Sequence, residues 1–445
     1  MNIIAIDCGA SFIKSALFND QNLVKVKQVA APPVKREDDI FDTKKIETLI
    51  NIVQSCINEL AADIDDGVIC IDNEMHGCIL ARPDGTSYTD YISWQKELIE
   101  SEEVWAVLQN AMGDVEASEI IRHTGMPLRS GLPGSTLLWL RKNGYLNADE
   151  RLHFYTLGDY IIRRITGKEP LCHPTNAAAT GLYDIENECW NKEYISLLTG
   201  GNQIVFPAIG KKAIDFKIDD NKTFAVLPAL GDQQAALLGS GLSEEDELSF
   251  NMGTGAQVSR LLNVLPEYGE CQIRPYFYGK YLKTIPHVPC GRAINVIFRF
   301  LKDILSKVKE EIGDEEIWAI MQEAADSGSL YDSNLELDLS FFENAITDHT
   351  KGSISNVGEY ELTFENLIKG MFYQMADNFV TVTNKVNSGL VDYNTIIFSG
   401  GIAKRWDILR DEIVDRLETG AEVILSENDT LYGCVKYALM DTGER

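Results

Sequence analysis

Short apolar runs alternate with glycine-bearing turns over the first thirty residues. Residues 2–8, rich in isoleucine, read as a buried strand, and Gly9-Ala10-Ser11 as a tight turn. Residues 12–18 read as a second strand, Asn19-Asp20 as a hairpin turn and 23–29 as a third strand. The spacing over 43–62 predicts a helix with Ile46, Leu49, Ile50, Val53, Ile57 and Leu60 on one face. Strands over 67–72 and 78–81 flank Asn73-Glu74-Met75-His76-Gly77, and helices follow over 136–142, 158–166 and 190–198. The apolar run 224–230 ends at Gly231-Asp232, and a helix of small residues opens at Gln233. An acidic, polar break over 243–247 is the expected domain boundary, dividing 1–242 from 243–445. Beyond it the strand–turn–strand pattern restarts: 248–252, then Gly253-Thr254-Gly255, echoing Asp7-Cys8-Gly9. The echo predicts a duplicated α/β fold. A hairpin over 276–282, helices over 293–309, 315–325 and 363–386, and a strand over 395–398 running into Ser399-Gly400-Gly401 follow. A helix from Trp406, a strand over 423–425 and a helix over 431–440 close the pattern.

Length and composition narrow the picture. At about 150 residues per domain, 445 residues allow two large domains or three small ones. Apolar residues make up 45%, enough for full cores. A formal net charge of −28 disfavours a nucleic-acid backbone or an anionic membrane as partner, but not ATP, whose phosphates arrive with Mg²⁺. Nine cysteines without a Cys-x-x-Cys spacing point to free thiols rather than a zinc site. The first residues read as a strand and not a signal peptide, and no apolar run is of bilayer length, so a cytoplasmic location is expected.

Asp232 is the most informative polar residue. An Asp at a helix start is commonly an N-cap; at the end of a strand facing a cleft, the same carboxylate can take a proton from a substrate hydroxyl. The turn at 9–11 can present backbone N–H groups to an anion, with Ser11 and Lys14 placed to join them. His76 can hydrogen-bond a polar substrate, although a lone histidine is commonly structural. Trp94-Gln95 is an aromatic–amide pair suited to a sugar. Strand, glycine turn and helix at Ser399-Gly400-Gly401 make a place for a nucleotide against bare backbone. Walker, Gly-x-Gly-x-x-Gly, His-Glu-x-x-His and Gly-x-Ser-x-Gly sequences are absent, which disfavours P-loop enzymes, nicotinamide dehydrogenases, zincins and α/β-hydrolases.

Taken in order, Asp7-Cys8-Gly9, Met75-His76-Gly77, Thr124-Gly125, Gly158-Asp159-Tyr160, Gly181-Leu182-Tyr183-Asp184 with Trp190, Leu230-Gly231-Asp232-Gln233-Gln234-Ala235-Ala236, Gly253-Thr254 and Ser399-Gly400-Gly401 resemble the FGGY carbohydrate kinases. The resemblance runs from Ile4 to about Leu439. It implies the duplicated actin-like, ribonuclease-H-like ATPase fold, two lobes with a cleft between them. It makes Asp232 the catalytic base and Asp7 the carboxylate that holds Mg²⁺. Ser11 and Lys14 match the first phosphate turn, Gly253 and Thr254 the second. Gly291 matches a position near the nucleotide phosphates, and Gly400 and Gly401 the adenosine turn. Met75, His76, Trp94, Gln233 and Asp232 match the substrate contacts. Arg292 stands where small residues are usual, and the closing segment Glu427-Asn428-Asp429-Thr430-Leu431-Tyr432-Gly433 is a weak version of the family's ending.

The partners implied are a small-molecule sugar and ATP, with no nucleic acid and no membrane; a homodimer is compatible with them. Residues 276–296 are most similar to sedoheptulose-using members and Met75-His76 to xylulose-using ones. Glycerol-using relatives carry a tyrosine seven residues after the start of the Thr-Gly motif, where this chain has Gly131, and Arg-Glu in place of Met75-His76. Both differences imply a longer, uncharged polyol, a ketose phosphorylated on a terminal hydroxyl. The competing class is an actin-like nucleotide-binding sensor that transfers no phosphate to sugar.

Overall fold

The computed structural model describes residues 1–35, 43–95, 98–112, 117–147, 150–266, 269–308, 312–390, 392–427 and 430–441. The first sheet is built as its apolar pattern predicts. β1 (Asn2–Cys8), β2 (Phe12–Asn19) and β3 (Asn22–Ala30) form an antiparallel meander. After helix α1 (Ile46–Leu60), β4 (Asp66–Asn73) pairs parallel with β1. Helix α2 (Leu157–Thr166) precedes β5 (Ile214–Asp219) and β6 (Lys222–Val226); β6 lies parallel to β4. The strand order is β3-β2-β1-β4-β6-β5, and the two-residue β7 (Leu230–Gly231) also pairs with β4. The apolar face of α1 (Ile46, Leu49, Val53, Ile57) and Ile161 and Ile162 of α2 are buried with Ile4, Ile6, Ile69 and Ile71 in one core. Helix α3 (Asp232–Ser240) follows β7 directly.

A second sheet repeats the plan. β8 (Glu247–Met252) and β9 (Ala256–Leu262) are antiparallel, and β10 (Tyr281–Val288) lies beyond β9. Helices α4 (Gly291–Ser306), α5 (Asp314–Asp326) and α6 (Phe364–Asn387) precede β11 (Thr395–Ser399), which is parallel to β8. Helix α7 (Gly401–Arg405) and α8 (Asp407–Leu417) lead to β12 (Glu422–Leu425), parallel to β11. The order β10-β9-β8-β11-β12 matches β3-β2-β1-β4-β6, and three pairs repeat in direction: β8–β9 is antiparallel, and β8–β11 and β11–β12 are parallel. This is the duplicated architecture that the echoed glycine turns imply. Helix α9 (Thr430–Asp441) completes the described chain.

The chain divides into two compact units. One comprises Met1–Gly239, Asn263–Tyr281 and Asn428–Arg445; the other comprises Ser240–Leu262 and Leu282–Glu427. The expected division at 242/243 differs from this in its two returns, because 263–281 and the last segment pack with the first unit. Three local expectations also change. Thr43–Lys44 is a short strand and not the first turn of α1. Residues 276–282 hold the connection of a hairpin more than its arms: Gln272–Pro275 and β10 are neighbouring strands, and between them Phe277–Gly279 form a 3-10 turn, closed by Tyr276 N–H donating to the Lys280 carbonyl. The helix expected over 190–198 begins at Lys192, after the short strand Cys189–Trp190. Lys309, Asn428 and Asp429 lie outside the described residues. No helix among the described residues is long and apolar enough to cross a membrane.

Candidate functional site

In the first unit the C-terminal ends of three parallel strands set three carboxylates along one edge of the sheet. Asp7 on β1 is in register with Asp72 on β4, and Leu230 of β7 is also in register with Asp72, so Asp232 leaves the sheet beside both. Ligands of open α/β sheets gather at this carboxyl edge. Asp232 is the first residue of α3 and is only partly buried. Its Oδ1 accepts the Gln233 N–H at 2.8 Å. That bond goes to the next residue, whereas an N-cap lies outside the helix and accepts from the second or third helical N–H. The capping alternative therefore does not describe this carboxylate. Burial, then the charges of Asp7 and Glu74, push Asp232 up to about 7, against the Gln233 N–H and the Arg274 guanidinium. Asp72 is fully buried, with Oδ2 accepting from the Cys434 thiol at 3.3 Å and Oδ1 buried without a hydrogen bond. Burial, with Asp7, Cys434 and Asp232 adding to it, holds its carboxyl well above the usual range. That favours the uncharged form.

The turn carrying Asp232 is held from below. Gly231 N–H donates to Thr175 Oγ1 at 3.0 Å, and Thr175 in turn bonds His173 Nδ1 at 2.8 Å. Asn176 Nδ2 reaches both the Asn73 side chain and the Ala229 carbonyl, at 2.9 and 2.8 Å. Gln233 Oε1 accepts from Arg274 at 2.5 Å, and Arg274 also bonds Gln272. Burial lowers Arg274 to about 10, with Arg129 lowering it further and Asp232 opposing. The Thr124-Gly125 motif places that arginine: Ile273 N–H donates to the Gly125 carbonyl at 2.8 Å. Nothing local in the sequence marks Thr175, Asn176 or Arg274 as part of this site, and sequence reasoning misses all three.

The remaining sugar-side residues sit at the end of β4. Met75 is nearly buried, and its sulfur packs where a Cβ on Gly231 would stand. His76 has a positive φ of 66°, and its Nδ1 is 2.7 Å from the Ala179 carbonyl, so that nitrogen carries the proton. Trp94 is 41% exposed. Gly131 has φ 81°, and a Cβ there would lie 2.8 Å from the Trp94 carbonyl oxygen. The backbone contact alone demands glycine, so the missing ring is not by itself a measure of pocket size. Ser11 is exposed in the turn after β1, and Lys14 is the β2 partner of Asp7 across the hairpin.

The second unit gathers its own five predicted residues. The turn after β8 closes with Gly253 N–H donating to the Gly255 carbonyl at 3.2 Å, and Thr254 is exposed in it. The start of α4 is seated on this turn: Gly291 and Arg292 N–H groups donate to the Gly253 and Thr254 carbonyls at 3.2 and 2.8 Å. A Cβ on Gly291 would be 2.5 Å from the Gly253 carbonyl. Arg292 does not intrude, because its guanidinium turns onto the Phe342 ring, 4.2 Å from the centroid. Gly400, after β11, packs on Met252 of β8, and Gly401 beside it opens α7 with no neighbour where its Cβ would be.

The resemblance implies Mg²⁺. Among the described residues no three His, Cys, Asp or Glu side chains converge as a ready cage. Mg²⁺ commonly takes one or two carboxylates, with waters and substrate phosphates completing six oxygens. Asp7, whose Oδ2 accepts from Thr430 at 2.9 Å, offers one such carboxylate, so the residues fit. Two predicted features differ in kind from what their residue types suggested: Met75 is packing more than surface, and Gly131 is a backbone requirement.

Comparison with known proteins bears on this geometry. A model of the N-terminal domain of the FGGY family of carbohydrate kinases matches residues 2–239. A glycerol kinase of Rhizobium meliloti is 27% identical over 270 residues, 57% of this chain and 53% of the relative. An apulose kinase of Pectobacterium atrosepticum is 24% identical over 279 residues, 59% and 55% of the two chains. The match thus spans about half the length of these curated relatives. Among solved structures, a xylulose kinase from Lactobacillus acidophilus superposes with a TM-score of 0.81 at 18% identity, over 100% of this chain and 90% of that one. Plasmodium falciparum glycerol kinase with ADP does so with 0.81 at 16% identity, over 99% and 89%. These two likenesses carry the fold.

Proposed function

The chain belongs to the FGGY family of carbohydrate kinases, and we propose that it transfers the γ-phosphoryl group of ATP to a terminal hydroxyl of a ketose, with Asp232 as general base. The observation that carries this reading is the Asp232 carboxylate itself. It stands at the carboxyl edge of the sheet, partly exposed, with one hydrogen bond among the described residues and an affinity for protons poised near 7. A sugar hydroxyl attacks phosphorus poorly until its proton is taken, and a positioned base of this kind contributes about 10²- to 10⁴-fold. The rest of the acceleration is alignment and charge neutralisation of the phosphoryl group. Backbone N–H groups of the turns at Gly9 and Gly253, with Ser11, Lys14 and Thr254, are the groups of this chain for that task. Asp7 would hold Mg²⁺, whose chemistry is to neutralise charge on the phosphates. Gly291, Gly400 and Gly401 would bring bare backbone to the nucleotide.

The acceptor corner supports an uncharged polyol. Two of its charged side chains are already engaged, Glu74 by Lys44 and Arg274 by Gln233 and Gln272. Beside the base Asp232, the uncharged groups that can meet a substrate here are Gln233 and the exposed indole of Trp94, with the His76 ring next to them. A ketose of five to seven carbons fits this reading, sedoheptulose first and xylulose second. Specificity constants for sedoheptulose, xylulose and glycerol test it. Glycerol turned over better than either ketose overturns the substrate assignment, and ATP consumption with none of them overturns the kinase reading.

Asp7→Ala tests the metal role. It should raise the Mg²⁺ concentration needed for half-maximal turnover by about tenfold, as loss of one charged ligand predicts, and lower kcat more than the sugar KM. Unchanged Mg²⁺ saturation would remove Asp7 from that role.

A further inference from the structure

Lys44 is wholly buried, unusual for a lysine unless it is paired. It is ion-paired to Glu74, itself only 3% exposed. Three parts of the proposed site meet at this pair. Lys44 Nζ donates to the Ala10 carbonyl at 2.9 Å, inside the first glycine turn. The Glu74 N–H donates to the Cys8 carbonyl at 3.0 Å, at the entry to the same turn. Glu74 immediately precedes Met75-His76; burial raises its carboxyl above the usual range, with Lys44 and the Trp94 side chain opposing. Lys44 also sits on the short strand Thr43–Lys44, which pairs with Tyr91–Ile92, immediately before Ser93-Trp94. Oε2 of Glu74 is buried without a hydrogen bond, so the carboxylate is not fully satisfied by its neighbours.

A buried ion pair is a poor device for stability, since desolvation offsets much of its attraction and a well-packed apolar pair often does as well. Its geometry does something an apolar pair cannot: it bonds a specific carbonyl of the anion turn while gripping the residue that begins the acceptor corner. We infer that Lys44 and Glu74 are positioning residues for phosphoryl transfer, fixing the turn at Ala10 relative to the corner of Met75, His76 and Trp94. The inference rests on the kinase reading above. Reactions that depend on a near-attack alignment can lose about 10²-fold for a displacement of about 1 Å, so a clamp between phosphate and acceptor subsites acts on kcat.

The test is Lys44→Met, Glu74→Gln and the double variant, assayed with ATP and the best sugar of the panel, with folding followed by thermal melting. Each single variant leaves one buried partner unpaired and loses stability; the double variant removes both charges and regains it. The expected result is that the double variant melts like the wild type yet has kcat lowered about tenfold or more. KM for ATP and sugar should each change less than threefold, and more ATP should be hydrolysed per sugar phosphorylated. A double variant with both wild-type melting and wild-type kcat makes the pair merely structural and overturns the inference. If the double variant does not fold, Lys44→Met alone decides by the same kcat-against-KM split in its folded fraction. A wild-type chain that phosphorylates no sugar in the panel fails at the kinase reading, a result separate from either outcome for the pair.

Discussion

Asp232→Asn lowers kcat by about 10²-fold or more, with the KM for ATP nearly unchanged, as loss of a general base predicts. The amide keeps an oxygen for the Gln233 N–H, so the turn at Gly231 and the start of α3 stay in place. Only the proton acceptor is lost. The same substitution has a second, opposite consequence. The Asp232 carboxyl stands at about 7 in the folded chain, against 3.8 as its ordinary value. A raised carboxyl binds its proton more tightly folded than unfolded. Its stabilising contribution is therefore complete below about 4 and is lost as pH rises through 7. The amide has no proton to lose and carries no such dependence. In metal-free protein the variant should gain stability over the wild type as pH rises from about 4 to 8, by on the order of a few kcal/mol. Thermal melts at pH 4.5 and pH 8 in the presence of a chelator measure it, and a constant difference between the two would show that Asp232 is not held in a destabilised state. A variant that loses turnover while gaining stability at alkaline pH is the signature of a group strained for chemistry.

Much of this site was legible because glycine and strand periodicity are local signals. Gly9, Gly253 and Gly400 stand at the ends of apolar runs, and the structure places each at a strand–turn junction. What was illegible depends on distance along the chain. Lys44 falls in the first turn of the helix expected over 43–62, and its buried state is decided by Glu74, thirty residues on. Arg274 reaches Gln233 across 41 residues, and Thr430 reaches Asp7 across 423. The returning segments Asn263–Tyr281 and Asn428–Arg445 likewise have no composition that assigns them to the first unit. The Asp232 ambiguity had a different origin. Cap and base demand the same residue at nearly the same position, and only the direction of the carboxylate separates them.

The nucleotide side can be probed by a pair of adjacent glycines that the fold treats differently. Gly400 has φ 93° and ψ 164°, a conformation essentially reserved for glycine. A Cβ there would lie 2.4 Å from the Met252 carbonyl oxygen and 2.7 Å from its carbon, both backbone atoms that cannot turn aside. Gly400→Ala should therefore cost about 3 kcal/mol or more, from backbone strain and steric displacement together. It should also spoil the turn between β11 and α7. Gly401 is exposed, and its Cβ direction is empty to beyond 4 Å. Gly401→Ala should leave folding stability within about 0.5 kcal/mol of the wild type, as for a surface substitution, and alanine favours the helix it opens. If bare backbone at this turn meets ATP, the added methyl takes up the space of a close contact. The KM for ATP should then rise about tenfold, with the sugar KM and the melting temperature unchanged. Gly401→Ala with an unaltered ATP KM would move the nucleotide off this turn, while Gly400→Ala reports on the turn's geometry whether or not a nucleotide binds there.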